Sequence, residues 1–347
     1  MRLDGELGVA LAVVAAIVGA GFASGREIAA FFSQTGWASW AGVVCAAAAM
    51  GALAAMLAEF ARRTGARGFP ELYAAVMSPA CGDAVRVLHG MTMLLTAAVM
   101  LTAGGELGAL VVPIVRAYPL SLAGTLALGL LLSRRDFRPL RRLGAVLAPL
   151  VALFYLALAL DGSPAPVEGL WMPVEAEELS GNLLAAMFLG FLYAALNAAM
   201  SGGVLAGLCR AGIRPRRVGW LTGTLLLLLL APANAALVRG GAEARRLALP
   251  SVALAARWGM AGYYVSVSVL YLSALTTLTA ALGCLRGQAA ALGLNPRLGT
   301  VAAGLAAACL SVIGFQSLVR VGYPMLGWGC ALTLLSLTVF LREEKKE

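Results

Sequence analysis

Charge is scarce in this chain. Asp, Glu, Lys and Arg make up 12% of its 347 residues, against roughly 25% in an ordinary soluble domain. A water-solvated globule is therefore excluded. Disorder is excluded too, since it needs low hydrophobicity with high net charge. Histidine is nearly absent, with His89 alone. A lone histidine cannot build a zinc site, and His89 is read as structural. There is no HExxH, no serine–histidine arrangement and no metal-ligand cluster, which argues against an enzyme. The six cysteines (Cys45, Cys81, Cys209, Cys284, Cys309 and Cys330) show no CxxC spacing. Neither a disulfide framework nor a metal site is expected from them. They read as small apolar residues inside helices.

What is abundant is apolar. Hydrophobic types reach 61%, and the mean hydropathy is +0.88. A membrane span needs about 20 apolar residues. Ten apolar runs are candidates, near 7–34, 37–60, 85–113, 119–133, 142–160, 180–209, 217–238, 260–285, 298–315 and 322–341, the fourth being short unless it begins a few residues earlier. The first follows a weakly charged start and runs past signal-peptide length, so it is expected as a span. Short helices are expected over 69–77 and over 247–258. The fold class is thus an all-α polytopic membrane protein with ten transmembrane helices.

A net charge of +9 would suggest nucleic acid in a soluble protein. Here the positions of the cations decide. With the N-terminus inside, 19 Lys and Arg fall in cytoplasmic segments and five on the other face, while Arg26 and Arg257 lie within or beside the membrane. That is a strong positive-inside bias. It places both termini in the cytoplasm and supports an even number of spans. The loop over 161–178 has five acids and no cation, as suits an external one. No single basic surface remains for nucleic acid. The Arg-, Ala-, Leu- and Gly-rich composition suits a GC-rich bacterial genome, and hence the bacterial inner membrane.

Two spans carry helix-weakening sequence at membrane depth. Span one contains Gly19, Gly21 and Gly25, followed directly by Arg26 and Glu27. Span six contains Tyr193, Asn197 and Ser201, followed by Gly202 and Gly203. Glycines loosen a helix, and intramembrane charges mark candidate functional sites. The two segments lie half a chain apart and each begins a set of five spans. An odd set inverts the second half relative to the first. Paired glycine-interrupted helices in two inverted halves point to a secondary transporter's binding site. Close helix packing at small residues is the plainer alternative.

The stretch Gly19-Ala20-Gly21-Phe22-Ala23-Ser24-Gly25-Arg26-Glu27-Ile28, followed by Phe31-Phe32, resembles the first-helix signature of the YkvI-type family of bacterial membrane proteins. That family resembles the amino acid–polyamine–organocation superfamily, whose members share the LeuT-type 5+5 inverted repeat with helices 1 and 6 broken. The resemblance implies one repeat over 1–160, an external linker over 161–179 and an inverted repeat over 180–347. It implies a substrate site at Gly19, Ala20, Gly21, Ser24 and Gly25 of helix one and at Tyr193, Asn197 and Ser201 of helix six. It also implies sodium held by helix-one carbonyls such as that of Ala20 and by Ser273, Thr276 and Thr277 of helix eight.

Each polar candidate has an ordinary structural alternative. Asn197 can make an interhelical hydrogen bond, and the helix-eight hydroxyls can bond back to the preceding turn. An Arg26–Glu106 pair would neutralise two buried charges and close an external gate, leaving Glu27 for a proton or an amine. Glu59 is expected in a solvated pair with Arg62. The sequence therefore reads as a secondary transporter, and the resemblance implies an amino acid or a related zwitterion or amine as its solute. Sodium is favoured over protons as the coupling ion, because span five lacks the lysine of some proton-coupled relatives. No other cofactor is implied, and the partners are a small solute and the lipid bilayer. A ligand-binding receptor or signalling subunit on the same fold is the alternative.

Overall fold

The computed structural model describes residues 5–66, 71, 73–74, 78–112, 114–134, 138–161, 181–209, 212–247 and 249–344. Among the described residues all regular structure is helical. The expected short helix over 69–77 and the external loop over 162–179 fall largely outside them.

The first apolar run is divided into three helices: α1 (Glu6–Ile17), α2 (Ala20–Ala23) and α3 (Arg26–Phe31). A 3-10 turn, Ser33–Ala38, leads into α4 (Ser39–Thr64). Then come α5 (Pro79–Val111), α6 (Ala117–Leu132) and α7 (Arg138–Asp161). The second half begins with α8 (Leu183–Leu208) and α9 (Pro215–Arg239). Two short helices come next, α10 (Gly241–Arg246) and α11 (Pro250–Ala256), where a loop helix is expected. The rest comprises α12 (Gly259–Ala291), α13 (Pro296–Leu310) and α14 (Tyr323–Glu344).

Among the described residues, six helical segments are long and apolar enough to cross a membrane: Ser33–Thr64, Pro79–Val111, Leu183–Leu208, Pro215–Arg239, Gly259–Ala291 and Pro296–Ile313. Four shorter apolar stretches, Glu6–Ile17, Ala117–Leu132, Val146–Asp161 and Met325–Ser336, lie where the remaining expected spans fall. Apolar side chains face outward as well as inward, with Val44, Leu153, Trp220, Leu228, Leu298 and Leu305 all exposed. Such a surface suits hydrocarbon, where a helix satisfies its own backbone.

Between these helices there is no hydrophobic drive once lipid surrounds them, so close van der Waals contact matters. Glycines supply it. A β-carbon on Gly190 of α8 would overlap the Gly42 carbonyl of α4, and one on Gly42 would lie 2.7 Å from the Ala186 carbonyl oxygen. Between α4 and α9, a β-carbon on Gly223 would lie 2.8 Å from the Ala47 carbonyl oxygen. Packing partners repeat across the halves. α5 packs on α6 as α12 packs on α13, α1 on α7 as α8 on α14, and α1 on α9 as α8 on α4. The pairs α4–α9 and α5–α12 join one half to the other.

One expectation is overturned here. α8 runs unbroken through Tyr193, Asn197 and Ser201 to Leu208, and neither Gly202 nor Gly203 takes a positive φ. A mid-helix glycine costs only about 1 kcal/mol, which packing on α4 and α14 offsets. The polar groups complete the helix: Asn197 Nδ2 donates to Tyr193 O at 2.9 Å and Ser201 Oγ to Asn197 O at 2.7 Å.

Candidate functional site

The first break in span one is at Val18 and Gly19. Val18 leaves the helical region at ψ 79°, and Gly19 is extended at ψ −173°. The second is at Gly25, with φ 81° and ψ −4°. That left-handed conformation is costly for any residue with a β-carbon. Gly25 thus fixes the second break, and one helical turn, Ala20–Ala23, is held between the two.

A broken helix frees backbone groups that must find partners away from water. At the second break they find them on distant elements. Tyr155 Oη of α7 donates to Phe22 O at 2.7 Å and to Ala23 O at 2.8 Å. Ser251 of α11 donates from Oγ to Ala23 O at 2.8 Å and from its amide to Ser24 O at 2.9 Å. Arg26 Nη1 donates to Arg245 O of α10 at 3.0 Å. The α10–α11 segment therefore bonds directly to the interrupted helix. Ser24 Oγ donates to Gly21 O at 3.0 Å and accepts from the Arg26 amide at 3.2 Å, closing the turn.

Gly21 has a separate role. A β-carbon there would overlap the carboxylate of Glu27, so the acidic side chain folds back over the Gly21 backbone. Glu27 is only 5% exposed. Among the described residues it has neither a hydrogen bond nor an ion pair; Arg26, next to it in sequence, is turned to Arg245. Tyr155, Tyr193 and Tyr323 all lie within range of the Glu27 charge. The hydroxyls of Tyr193 and Tyr323 are buried without a hydrogen bond of ordinary geometry, the first beside Asn197 and the second beside Thr96. The Tyr193 ring stands edge-on to Phe31 and Phe32, with centroids 5.4 Å and 5.1 Å away.

At the first break the facing element is α12. A β-carbon on Gly19 would lie 3.0 Å from Thr277 Oγ1, and that hydroxyl is buried with no partner. Ser273 Oγ donates to Val269 O at 2.8 Å and Thr276 Oγ1 to Ser273 O at 2.9 Å. Those two bond back within their own helix. The Ala20 amide points to Met100 Sδ of α5 at 3.4 Å.

The expected residues thus divide. Gly19, Gly21, Gly25, Glu27, Tyr193 and Thr277 converge on the interrupted helix. Ser273, Thr276, Asn197 and Ser201 spend their bonds on local backbone. The Arg26–Glu106 pair is not among the ion pairs of the described residues. Glu106 instead faces the Phe315 backbone and Tyr118. Depth along a helix is readable in sequence, but the direction around its axis is not. Arg257 pairs with Asp161. Glu59 pairs with both Arg62 and Arg63 at the exposed end of α4. His89 bonds Gln288 at 2.7 Å, tying α5 to α12. Tyr155, Ser251 and Tyr323 were not expected at the site. The signal for each is a lone hydroxyl in an apolar stretch, which when buried must find a polar partner.

No known family profile matches the chain. Over 153 residues it is 26% identical to the uncharacterized membrane protein YkvI of Bacillus subtilis (strain 168). The match spans 44% of each chain, less than half of that relative. The fold is shared far more widely. A closed structure of Mhp1, a nucleobase-cation-symport-1 family transporter with bromovinylhydantoin bound, aligns with a TM-score of 0.62 at 15% identity. That alignment covers 95% of this chain and 77% of Mhp1. MhsT in complex with L-phenylalanine aligns with a TM-score of 0.60 at 12% identity, covering 95% of this chain and 86% of MhsT. The chain is therefore a multi-pass membrane protein similar to YkvI, and over nearly its whole length it has the LeuT-type fold of Mhp1 and MhsT.

Proposed function

We propose that the protein is a secondary transporter of the bacterial inner membrane. It carries a small amine-bearing solute, an amino acid or a related zwitterion or amine, by alternating access beside the broken first span. The observation that carries this reading is the interrupted helix itself. Both breaks lie at membrane depth, and each faces a buried polar side chain: the unpartnered Thr277 hydroxyl at the first, and the Glu27 carboxyl folded over Gly21 at the second. Unsatisfied polar groups in a membrane interior are costly, and a bound solute or ion would satisfy them. The paired packing of α5–α6 with α12–α13 and of α1–α7 with α8–α14 supports ten spans in two inverted halves, 1–160 and 180–347. It is the geometry expected of a fixed site between rocking halves.

Sodium is the proposed coupling ion. Its site is the Thr277 hydroxyl with carbonyls of the first break, oxygen ligands that suit a hard cation. Thr276, already bonded to Ser273 O, is the natural comparison. In detergent, Thr277→Val is expected to abolish the sodium-dependent rise in Tm, while Thr276→Val retains most of it. A saturating ligand at about a hundred times its Kd stabilises by about 2.7 kcal/mol, enough to see. A wild-type Tm indifferent to sodium would remove the ion from the proposal. Transport is tested by uptake of radiolabelled amino acids and amines into proteoliposomes, with and without an inward sodium gradient. Binding without flux would favour a receptor on the same fold.

A further inference from the structure

Lipid covers the outer face of a membrane protein, so an outward stripe on a span is explained by the headgroup and chain it meets. α9 carries such a stripe. Its rotation is set from the opposite side, where two glycines lie against backbone carbonyls of α4. A β-carbon on Gly219 would overlap the Gly51 carbonyl, and one on Gly223 would lie 2.8 Å from Ala47 O. Val218, Thr222, Leu226 and Leu230 are buried on that side. With about 100° between successive residues, Arg216, Arg217, Trp220, Thr224 and Leu228 fall on the other face. All five are exposed, Trp220 by 80% and Leu228 by 61%.

The stripe matches a phospholipid from head to tail. Two guanidiniums stand at the end of the span, where phosphates lie. Trp220 follows about one turn further in. An indole has an apolar body and one N–H donor, and it favours the level between headgroups and hydrocarbon. At 1.5 Å per residue, Leu228 lies roughly 17 Å beyond Arg217, comparable with the hydrocarbon depth of one leaflet.

The balance of charge at this end favours an anion. No Asp or Glu occurs from Ser180 to Ala242, so α8 and α9 have no acid of their own. Neighbouring elements bring two. Glu6 of α1 accepts from the Arg214 amide and lies within range of Arg214 and Arg217. Glu59 of α4 is held by Arg62 and Arg63 of its own last turn. Arg86 of α5 likewise has Asp83 on its own helix. A topology signal needs only cations near the end of a span. It does not need two of them on one helix face with an exposed tryptophan.

We infer that Arg216, Arg217 and Trp220 form a binding site for an anionic phospholipid. The two guanidiniums hold its phosphate, and its glycerol backbone lies against the indole. Guanidiniums take phosphate oxygens in a bidentate fork, so a headgroup without a cation of its own is selected over a zwitterionic one. The site is on the outer face of the helices and is independent of the solute that the protein carries.

The test uses the full chain in a neutral detergent. Dioleoyl phosphatidylglycerol is set against dioleoyl phosphatidylcholine, by native mass spectrometry for retained lipid and by thermal shift. Phosphatidylglycerol is expected to bind at least tenfold tighter and to raise Tm further. Each basic residue near an anionic surface is worth about fivefold. Arg216→Gln should therefore lose about fivefold, and Arg216→Gln with Arg217→Gln about 25-fold, with phosphatidylcholine binding unchanged. Trp220→Ala should weaken both lipids, because the indole meets the part they share. Arg62→Gln with Arg63→Gln removes the same charge from the end of a neighbouring helix and should leave the preference intact. All five positions are exposed, so the variants should stay monodisperse. Equal binding of the two lipids overturns the inference. So does an equal loss of preference in the Arg62 and Arg63 variant, which would mean diffuse attraction to the whole basic face. An equal shift with inorganic phosphate would make this a site for a soluble anion, and that result also overturns it.

Discussion

Gly21→Ala abolishes solute binding and lowers stability, although it adds a single methyl group. The new β-carbon would overlap the Glu27 carboxylate, and it would lie 2.7 Å from Cδ and 2.8 Å from Cγ. Real β-carbons do not approach other heavy atoms so closely, so the acidic side chain must swing away from its Cγ outward. Its surroundings leave it little room: Tyr155, Tyr193 and Phe22 are fully buried around the break. Overpacking of this kind costs roughly 1–3 kcal/mol. The loss of affinity should be larger, at least about a hundredfold, because a reacting or binding group displaced by about 1 Å can lose that much. Calorimetric titration with the best solute of the panel measures the affinity, and thermal unfolding the stability. A cycle with Glu27→Ala separates the causes. If the clash with Glu27 is the destabilising event, Gly21→Ala costs little in the Glu27→Ala background, and the pair is strongly non-additive. Wild-type affinity in Gly21→Ala would show that the carboxylate does not stand over Gly21 in the binding state.

The glycines of the first span also mark what sequence can reveal. Three of them within seven residues, followed by two charges, are a local signal, and each has a local geometric reason. Gly19 lies close against Thr277 at one break, Gly25 is left-handed at the other, and Gly21 admits a side chain over its backbone. The apolar runs were equally legible, because hydrocarbon sets both the length and the composition of a span. The second glycine cluster misled for a physical reason. Gly202 and Gly203 lower helix propensity, but propensity is a weak term that packing overrides. Their polar neighbours, which read as signs of unwinding, bond back one turn and hold the helix together.

The rest of the site was hidden because it is assembled from single residues far apart in sequence. Tyr155 reaches Phe22 from 133 positions away, and Ser251 reaches Ala23 from 228. One tyrosine among the leucines of span five carries no periodic signal. Its rotation about the helix axis decides whether it meets lipid or the broken helix. The same uncertainty produced the Arg26–Glu106 pairing. Both charges are at suitable depth, but Arg26 turns to α10 and Glu106 to the Phe315 side. The choice between helix-eight hydroxyls was also unreadable. Three of them share a short stretch, and only their bonds show that Ser273 and Thr276 are occupied while Thr277 is not.

Tyr155→Phe loosens the second break and raises local exchange there about tenfold. The phenol oxygen donates to two freed carbonyls, Phe22 O and Ala23 O, and the phenylalanine ring keeps the packing against Phe22 and Phe154. The change therefore isolates the hydrogen bonds. Each carbonyl retains one partner: Phe22 O the Gly25 amide at 2.9 Å, and Ala23 O the Ser251 hydroxyl at 2.8 Å. The cost should thus be about 1–2 kcal/mol rather than that of a wholly orphaned group. A loss of about 1.4 kcal/mol shifts a local opening equilibrium tenfold. Hydrogen–deuterium exchange of peptides covering residues 18–27 reads this directly, with the α5 peptides as an internal reference. Ser251→Ala should raise exchange in the same peptides, since it removes the α11 hydroxyl from the same carbonyl. Together the two changes leave Ala23 O without either side-chain donor, so the double variant should exceed the sum of the singles. Simple additivity would mean that α7 and α11 hold the break independently. Unchanged exchange in both singles would mean that these bonds do not hold the interrupted helix in place.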